Sequence, residues 1–440
     1  MPIASSRSAR GRQSGQALVV ALGLLLAGGA MLYAMFSAGQ VAAAKQRLTD
    51  TADAAAWSAG LWRARVLNYH AYANRAIVAN EVAIAQAVTL LAWAKYFERL
   101  TLNAALLGKV FPVAEPVLTG VAEAAVLARE AAQLAAEVEI PARGAHAVGY
   151  KEILQASQEI LHLSTQGFGL NMVTAEVARA NDPAYFAWVL PDPSLGWQRF
   201  THRAQTVDER RRLADLVLAS LDPFTSGPRS EDIHTPIPSP CLNLMRLRKR
   251  GATTLSEDLD RWQAVDTLSF HTRSLRFLRC RESEALPLGW GAAEAGAEAS
   301  TLTANAGGVD INPRANALAG ASITRFGSYA GIARVRELDY ESLANTRFPT
   351  SGLAVVARAR AGAVATAGER RLAAGRLVSP DGFAGDGRHL WALSASEVYF
   401  RRPDHAPTRL EYASLFNPYW QVRLVAPTLA QRAVAQAYVR

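Results

Sequence analysis

The sequence predicts an α+β protein: a single N-terminal transmembrane helix running into a long helix and a helical region, then a β-rich C-terminal domain. Three observations carry that expectation. No charged residue occurs from Gln13 to Ala44. No proline interrupts the chain between Ala44 and Pro112. Beyond the Pro- and Ser-rich stretch Pro223–Pro240, apolar and polar residues alternate over short runs, the pattern of half-buried strands.

The apolar core Ala17–Phe36 is long enough, at 1.5 Å per residue, to cross a hydrocarbon layer of roughly 30 Å. A helix satisfies its own backbone there. Arg7, Arg10 and Arg12 lie in front of it, whereas Lys45, Arg47, Asp50 and Asp53 behind it are of mixed sign. The positive-inside rule then places the N-terminus in the cytoplasm of a bacterial cell and the bulk beyond the inner membrane. A cleaved secretory signal is the rival, with Val41-Ala42-Ala43 as its small-residue cleavage site. Against it, the apolar core is long for a signal and helical sequence runs straight through the supposed cut.

Past Ala44, the positions Leu48, Ala52, Ala55, Ala59, Trp62, Val66, Tyr69, Ala73, Ala76, Asn80, Ala83, Ala87, Leu90, Ala94 and Phe97 alternate steps of four and three, an apolar stripe for helix packing. Helical stretches are expected at Val117–Val138, Ala145–Ala180 and Phe200–Leu221. Pro236-Ile-Pro238-Ser-Pro240 cannot be helix and reads as a boundary. Strands are expected at Thr267–His271, Ser322–Phe326, Leu353–Ala361, Leu390–Arg401 and Trp420–Leu424. Gly289–Gly320 reads as loop with a short helix. The resulting division is a cytoplasmic tail over 1–14, a membrane helix over 15–44, a periplasmic helical region over 45–225 and a β-rich periplasmic domain over 226–440.

The chain has 440 residues, 50% of them hydrophobic, and a formal net charge of +9. Disorder is excluded by that apolar content. Nucleic acid is not an expected partner, because no basic run is interleaved with aromatics; Arg246, Arg248, Lys249 and Arg250 read as a solvated loop. Cys241 and Cys280 are the only cysteines. In an oxidising compartment they read as one disulfide, and in the cytosol as two buried thiols, so topology decides.

Catalytic patterns are missing from the sequence. The eight histidines are scattered, no His-Glu-x-x-His or Cys-x-x-Cys occurs, and there is no phosphate-binding Gly-x-x-x-x-Gly-Lys-Ser/Thr. Asp381–Gly387 reads as a turn between strands rather than a calcium loop. No catalytic, metal or cofactor site is therefore expected, and a non-enzymatic protein is. The aromatics Tyr399, Phe400, Tyr412, Phe416, Tyr419 and Trp420 are expected mostly in the core of the β domain.

Two stretches carry a family resemblance. Gly15-Gln-Ala-Leu-Val-Val-Ala-Leu-Gly, followed by Gln46-Arg-Leu-Thr-Asp-Thr-Ala-Asp-Ala-Ala-Ala56, resembles the N-terminal segment of Tad (tight adherence, Flp pilus) assembly proteins of the TadE/TadG kind. Glu397–Pro403 with Tyr412–Leu424 is similar to the C-terminal region of proteobacterial members of the same broad group. The resemblance implies a membrane-anchored part of the machine that builds or anchors Flp-type pili, with a minor-pilin-like subunit as one form of that role. It implies the inner membrane and other pilus-assembly subunits, met through helix packing, as partners, and adhesion as the outcome. The sequence leaves the oligomeric state open. Gly15 and Gln16 are the processing-like motif. Prepilins of this class carry a glutamate five residues after the cleaved glycine, where this chain has Val20. That departure favours an anchored assembly factor over a shaft pilin. A membrane-tethered periplasmic hydrolase and a signal-peptide-bearing secreted adhesin stand as the alternatives.

Overall fold

The computed structural model of the chain describes residues 16–108, 115–192, 194–238, 241, 244–276, 279–297, 312–327, 329–343, 345, 347–360, 364, 389–403 and 411–439. Helix and strand both contribute heavily, 52% and 27%, with the strands concentrated in the C-terminal half. Helix α1 spans Gln16–Gly108, 93 residues without a break, or roughly 140 Å at the α-helical rise. Its alanine-rich, proline-free composition is what permits that length.

Helix α2 (Glu115–Ser164) folds back along α1. The Trp62 indole donates to Ser164 Oγ at 3.1 Å, Tyr69 and Ser157 share a 2.6 Å hydrogen bond, and Arg129 pairs with Glu98 at 3.3 Å. The expected break between Val138 and Ala145 does not occur; the helix ends at Ser164 instead. There the Thr165 and Gln166 amides turn back to the His162 and Leu163 carbonyls, at 3.1 and 3.0 Å. Helix α3 (Gly167–Asn181) follows. Strand β1 (Phe186–Val189), strand β2 (Thr201–Arg203), helix α4 (Val207–Ala219) and the short α5 (Pro223–Ser226) come next. The helix expected from Phe200 thus begins only at Val207, fixed by a capping box in which Thr206 and Glu209 satisfy each other's amides.

Strands β3 (Glu231–Pro238), β4 (Leu244–Leu255), β5 (Arg261–Arg276) and β6 (Arg279–Gly296) form a meander, extended in parallel by β7 (Thr324–Phe326) after helix α6 (Pro313–Ala321). The Pro236-Ile-Pro238 segment belongs to β3, the edge strand, where a missing amide donor is tolerated. A second sheet has the order β1-β9-β10-β11, with β9 Ser351–Arg360, β10 His389–Phe400 and β11 Trp420–Val425. Strand β8 (Arg336–Leu338) pairs with β2, and helix α7 (Leu429–Val439) closes the chain. Strand β1 lies in the segment expected to be helical yet hydrogen-bonds to β9, so the two halves of the sequence share one sheet.

The two larger sheets are both built on α1. Val41–Ala59 packs with α3, β9 and β10 around Leu48, Leu170, Val355 and Leu390. Ile77–Ala92 packs with α4, β5 and β6 around Trp262, Leu213 and Val217. Two glycines allow the close approach. At Gly60 a Cβ would lie 2.5 Å from Val422 Cγ2 and 2.7 Å from Ser396 Oγ. At Gly291, on β6, a Cβ would collide with the α1 backbone at the Ala92 carbonyl and Tyr96 amide. Gly289 is small for the same reason, since a Cβ there would meet Leu100 and Tyr96 of α1 at 3.0 Å, and such glycines are why the sequence here reads as loop.

Candidate functional site: the bare end of α1 and the polar seam beyond it

The first part of α1 is long and apolar enough, by length and composition, to cross a membrane, and none of its most apolar stretch is buried. Leu18, Leu25 and Leu32 are each at least 70% exposed. A core helix of this length would hide such a face; a signal sequence shares its composition and position. Gln16 is the first residue of α1, and Val20 stands on the bare surface, 61% exposed. Gly15, Arg7, Arg10 and Arg12, like Asp381–Gly387, where a turn is expected, lie outside the described residues.

From Val41 the helix enters the folded part and its buried face turns polar. Arg63, His70, Asn74 and Glu81 are all at most 5% exposed. Their spacing of seven, four and seven places them on one line of the helix. Asn74 is fully engaged: its amide donates to the Arg336 and Leu415 carbonyls at 2.9 and 2.8 Å, and its oxygen accepts from Gln158 at 2.9 Å. It therefore ties α1 to α2, to β8 and to the segment before β11. Glu81 accepts from Tyr329 at 2.7 Å and from the Trp262 indole at 3.4 Å.

His70 meets His162 of α2 with ring centroids 6.2 Å apart. Neither ring nitrogen of His70 has a hydrogen-bond partner among the described residues, nor has Nδ1 of His162. Desolvation, then the nearby Arg336 guanidinium, pulls His70 well below its ordinary value and lowers His162 to about 4. Both imidazoles are thus neutral near pH 7. Beside them Arg336 pairs with Glu159 at 2.6 Å and Arg203 reaches the same carboxylate at 3.5 Å. Burial would raise Glu159, but these two cations hold it below its usual range. Trp197 stacks on His162 and Phe200, lies under the Arg63 guanidinium at 4.3 Å, and donates to Thr165. Phe200, Trp420 and Phe400 continue the column, while Tyr412 is half exposed.

The seam offers little chemistry. Among the described residues, neither His70 nor His162 hydrogen-bonds to a serine, threonine or cysteine side chain, and no group of three or more His, Cys, Asp or Glu is placed to hold a metal ion. Next to Arg336, Glu337 is buried, and desolvation pushes it up to about 7 against the opposing charge of Arg212 at 3.6 Å.

On the five-stranded sheet Cys241 and Cys280 form a disulfide, with Cα atoms 5.9 Å apart. The neighbouring Arg246, Arg248, Lys249 and Arg250 are strand β4, not a solvated loop. Arg248 pairs with Glu282 at 2.7 Å, Arg250 with Asp232 at 2.9 Å and Lys249 with the fully buried Asp266 at 2.5 Å. Alternate charged residues in a strand leave this trace in sequence, and Asp232, Asp266 and Glu282, far away in the chain, are what conceal it.

No protein-family model, no curated protein and no solved structure matches this chain. The seam was legible in principle: Arg63, His70, Asn74 and Glu81 share a helical line beside the apolar stripe, and a search for polar residues at steps of seven and four finds it.

Proposed function

We propose that the chain is a non-enzymatic, single-pass protein of the bacterial inner membrane, with its N-terminus cytoplasmic and its bulk periplasmic, acting in assembly or anchoring of a Tad/Flp-type pilus. The observation that carries this is the continuity of α1. One unbroken helix is bare over its apolar N-terminal stretch and then becomes the spine of the folded part. That is how a pilin-like subunit joins a bilayer segment to its head, without a flexible linker. The Gly15-Gln16 entry and the Ala52-Asp-Ala-Ala-Ala56 block, which resemble TadE/TadG-kind proteins, supply the family. Val20 in place of a glutamate favours a subunit that stays in the membrane over one that enters the shaft.

Two further features support the placement. A disulfide persists in an oxidising compartment such as the periplasm. Helix α2 leaves Val117, Leu127, Leu134, Ile153, Ile160 and Leu163 more than half exposed, an apolar face for helix packing with another assembly subunit. Deletion of the gene tests the role: pilus formation and surface adhesion should be lost and restored by the full-length chain. Intact pili and adhesion in the deletion strain, or neighbouring genes without a pilus ATPase and prepilin peptidase, would contradict it.

A further inference from the structure

The four-stranded sheet runs alongside α1, and two contacts fix their relative height. Lys45 donates to the Trp391 carbonyl, and Ser396 Oγ to the Ala56 carbonyl at 2.6 Å. Five strand residues and eleven helix residues cover the same roughly 16 Å, so β10 climbs parallel to α1. Strand β9 descends beside it and β1 climbs again. The row Arg360–His389 therefore lies near Val41, with Ala359 and Leu390 packed in the same cluster as Val41. That is roughly 8 Å beyond Phe36, the last residue of the apolar core that fills the hydrocarbon layer in the proposed topology. The next row on the same face, Phe186–Arg358–Trp391, is about two strand residues higher, roughly 7 Å.

These rows lie on the sheet face turned away from α1, since the alternate residues Leu353, Val355, Ala357 and Ala359 face the helix. Trp188, one row higher opposite Val356, and Trp391 pack in a cluster with Val434 and Ala435 of α7 and meet edge-on at 5.8 Å; the Arg358 guanidinium lies over Phe186 and Trp188, at 5.4 and 5.7 Å. Phe186 is 47% exposed, Arg360 is exposed, and neither arginine has an ion pair among the described residues. Within 44–50, 182–188 and 358–360 the charged residues are Lys45, Arg47, Arg358 and Arg360 against Asp50 and Asp182. Asp50 accepts from Gln46 and Asp182 from the Ala184 amide.

We propose that Arg360, with Arg358 and Phe186 on the row above it, rests on the bilayer surface and binds anionic phospholipid headgroups. The inference depends on α1 spanning the membrane, because that fixes the height of the patch. Headgroup layers extend about 5–8 Å beyond each side of the hydrocarbon core, within reach of long arginine side chains. Arginines near an anionic leaflet are attracted to it, and the Phe186 ring stands about 7 Å above the Arg360 row, beside the Arg358 guanidinium. The patch would hold the sheet upright against the membrane and stop α1 from swinging.

The test uses the full chain reconstituted into vesicles, with a nitroxide on Ala184→Cys beside the patch or on Leu26→Cys within the span. Cys241 and Cys280 are bonded to each other and do not take the label. Collisions of the 184 label with a headgroup-chelated nickel should be frequent in phosphatidylglycerol vesicles. Arg360→Gln should reduce them by roughly fivefold, on the basis of about 1 kcal/mol per arginine at an anionic surface, and phosphatidylcholine vesicles by at least as much as loss of both arginines. Arg358→Gln/Arg360→Gln should reduce them further. Equal collision rates in both lipids and in all variants, with the 26 label shielded from water, would overturn the patch while leaving the span intact. A water-exposed 26 label would instead overturn the span, and the patch with it.

Discussion

Asn74 offers the sharpest quantitative test of the fold. Its amide joins α1 to two strand-side carbonyls, those of Arg336 and Leu415, while its oxygen holds Gln158 of α2. Asn74→Ala removes three buried hydrogen bonds, and at a net 1 kcal/mol each the loss is about 3 kcal/mol. Gln158→Ala removes one of the same three, for about 1 kcal/mol. Because Gln158 Nε2 is held by Asn74 and its Oε1 has no partner among the described residues, the two changes act on one interaction. The double variant should therefore lose no more than about 0.5 kcal/mol beyond Asn74→Ala. Denaturant unfolding of the full chain in detergent, followed by tryptophan emission from the adjacent Trp197 and Trp420, measures all three. Equal losses for the two single variants, or strictly additive losses in the double, would refute the assignment of Asn74 as the shared anchor.

Other outcomes follow from the same structure. Cys241→Ser/Cys280→Ser opens a loop of sequence separation 39 and should cost about 4 kcal/mol in the chain-entropy model, read as a lower unfolding midpoint that reductant no longer changes. Gly291→Ala should destabilise more than Gly60→Ala, since its Cβ meets α1 backbone rather than the Val422 and Ser396 side chains; midpoints compared side by side decide it. Glu337 is raised from 4.5 to about 7, so between those values the folded chain holds a proton that the unfolded chain has released. Its contribution is full below pH 4.5 and is lost as pH rises through 7. The midpoint should fall from pH 6.5 to 7.5, and Glu337→Gln should remove most of that fall; His70 and His162, lowered below 6.5, act in the opposite sense only at lower pH, and Lys95, lowered to about 8, does so only at higher pH.

Much of the architecture was legible because the deciding forces are local. Proline-free alanine sequence forecast α1 up to Gly108, and alternation forecast β9, β10 and β11. Strands β4 and β6 escaped because what makes them strands is distant. Arg248 and Arg250 look solvated until Glu282 and Asp232 arrive, and the glycines and alanines of β6 look like loop until α1 lies against them. The apolar stripe expected on α1 holds at Leu48, Ala52, Ala55 and Ala59, then drifts, leaving Leu90 half exposed. A straight helix advances 3.6 residues per turn, so steps averaging 3.5 walk off the buried face over many turns. The polar seam was missed for the same reason: it follows the buried face after the stripe has left it.

The central claim is that α1 is an uncleaved anchor with the folded part beyond the membrane. The direct measurement is an alkaline phosphatase fused after residue 60, assayed in membranes washed with alkaline carbonate. The enzyme should be active and stay in the washed membranes. An inactive fusion would reverse the orientation, and activity released into the soluble periplasm would show that the helix is a cleaved signal.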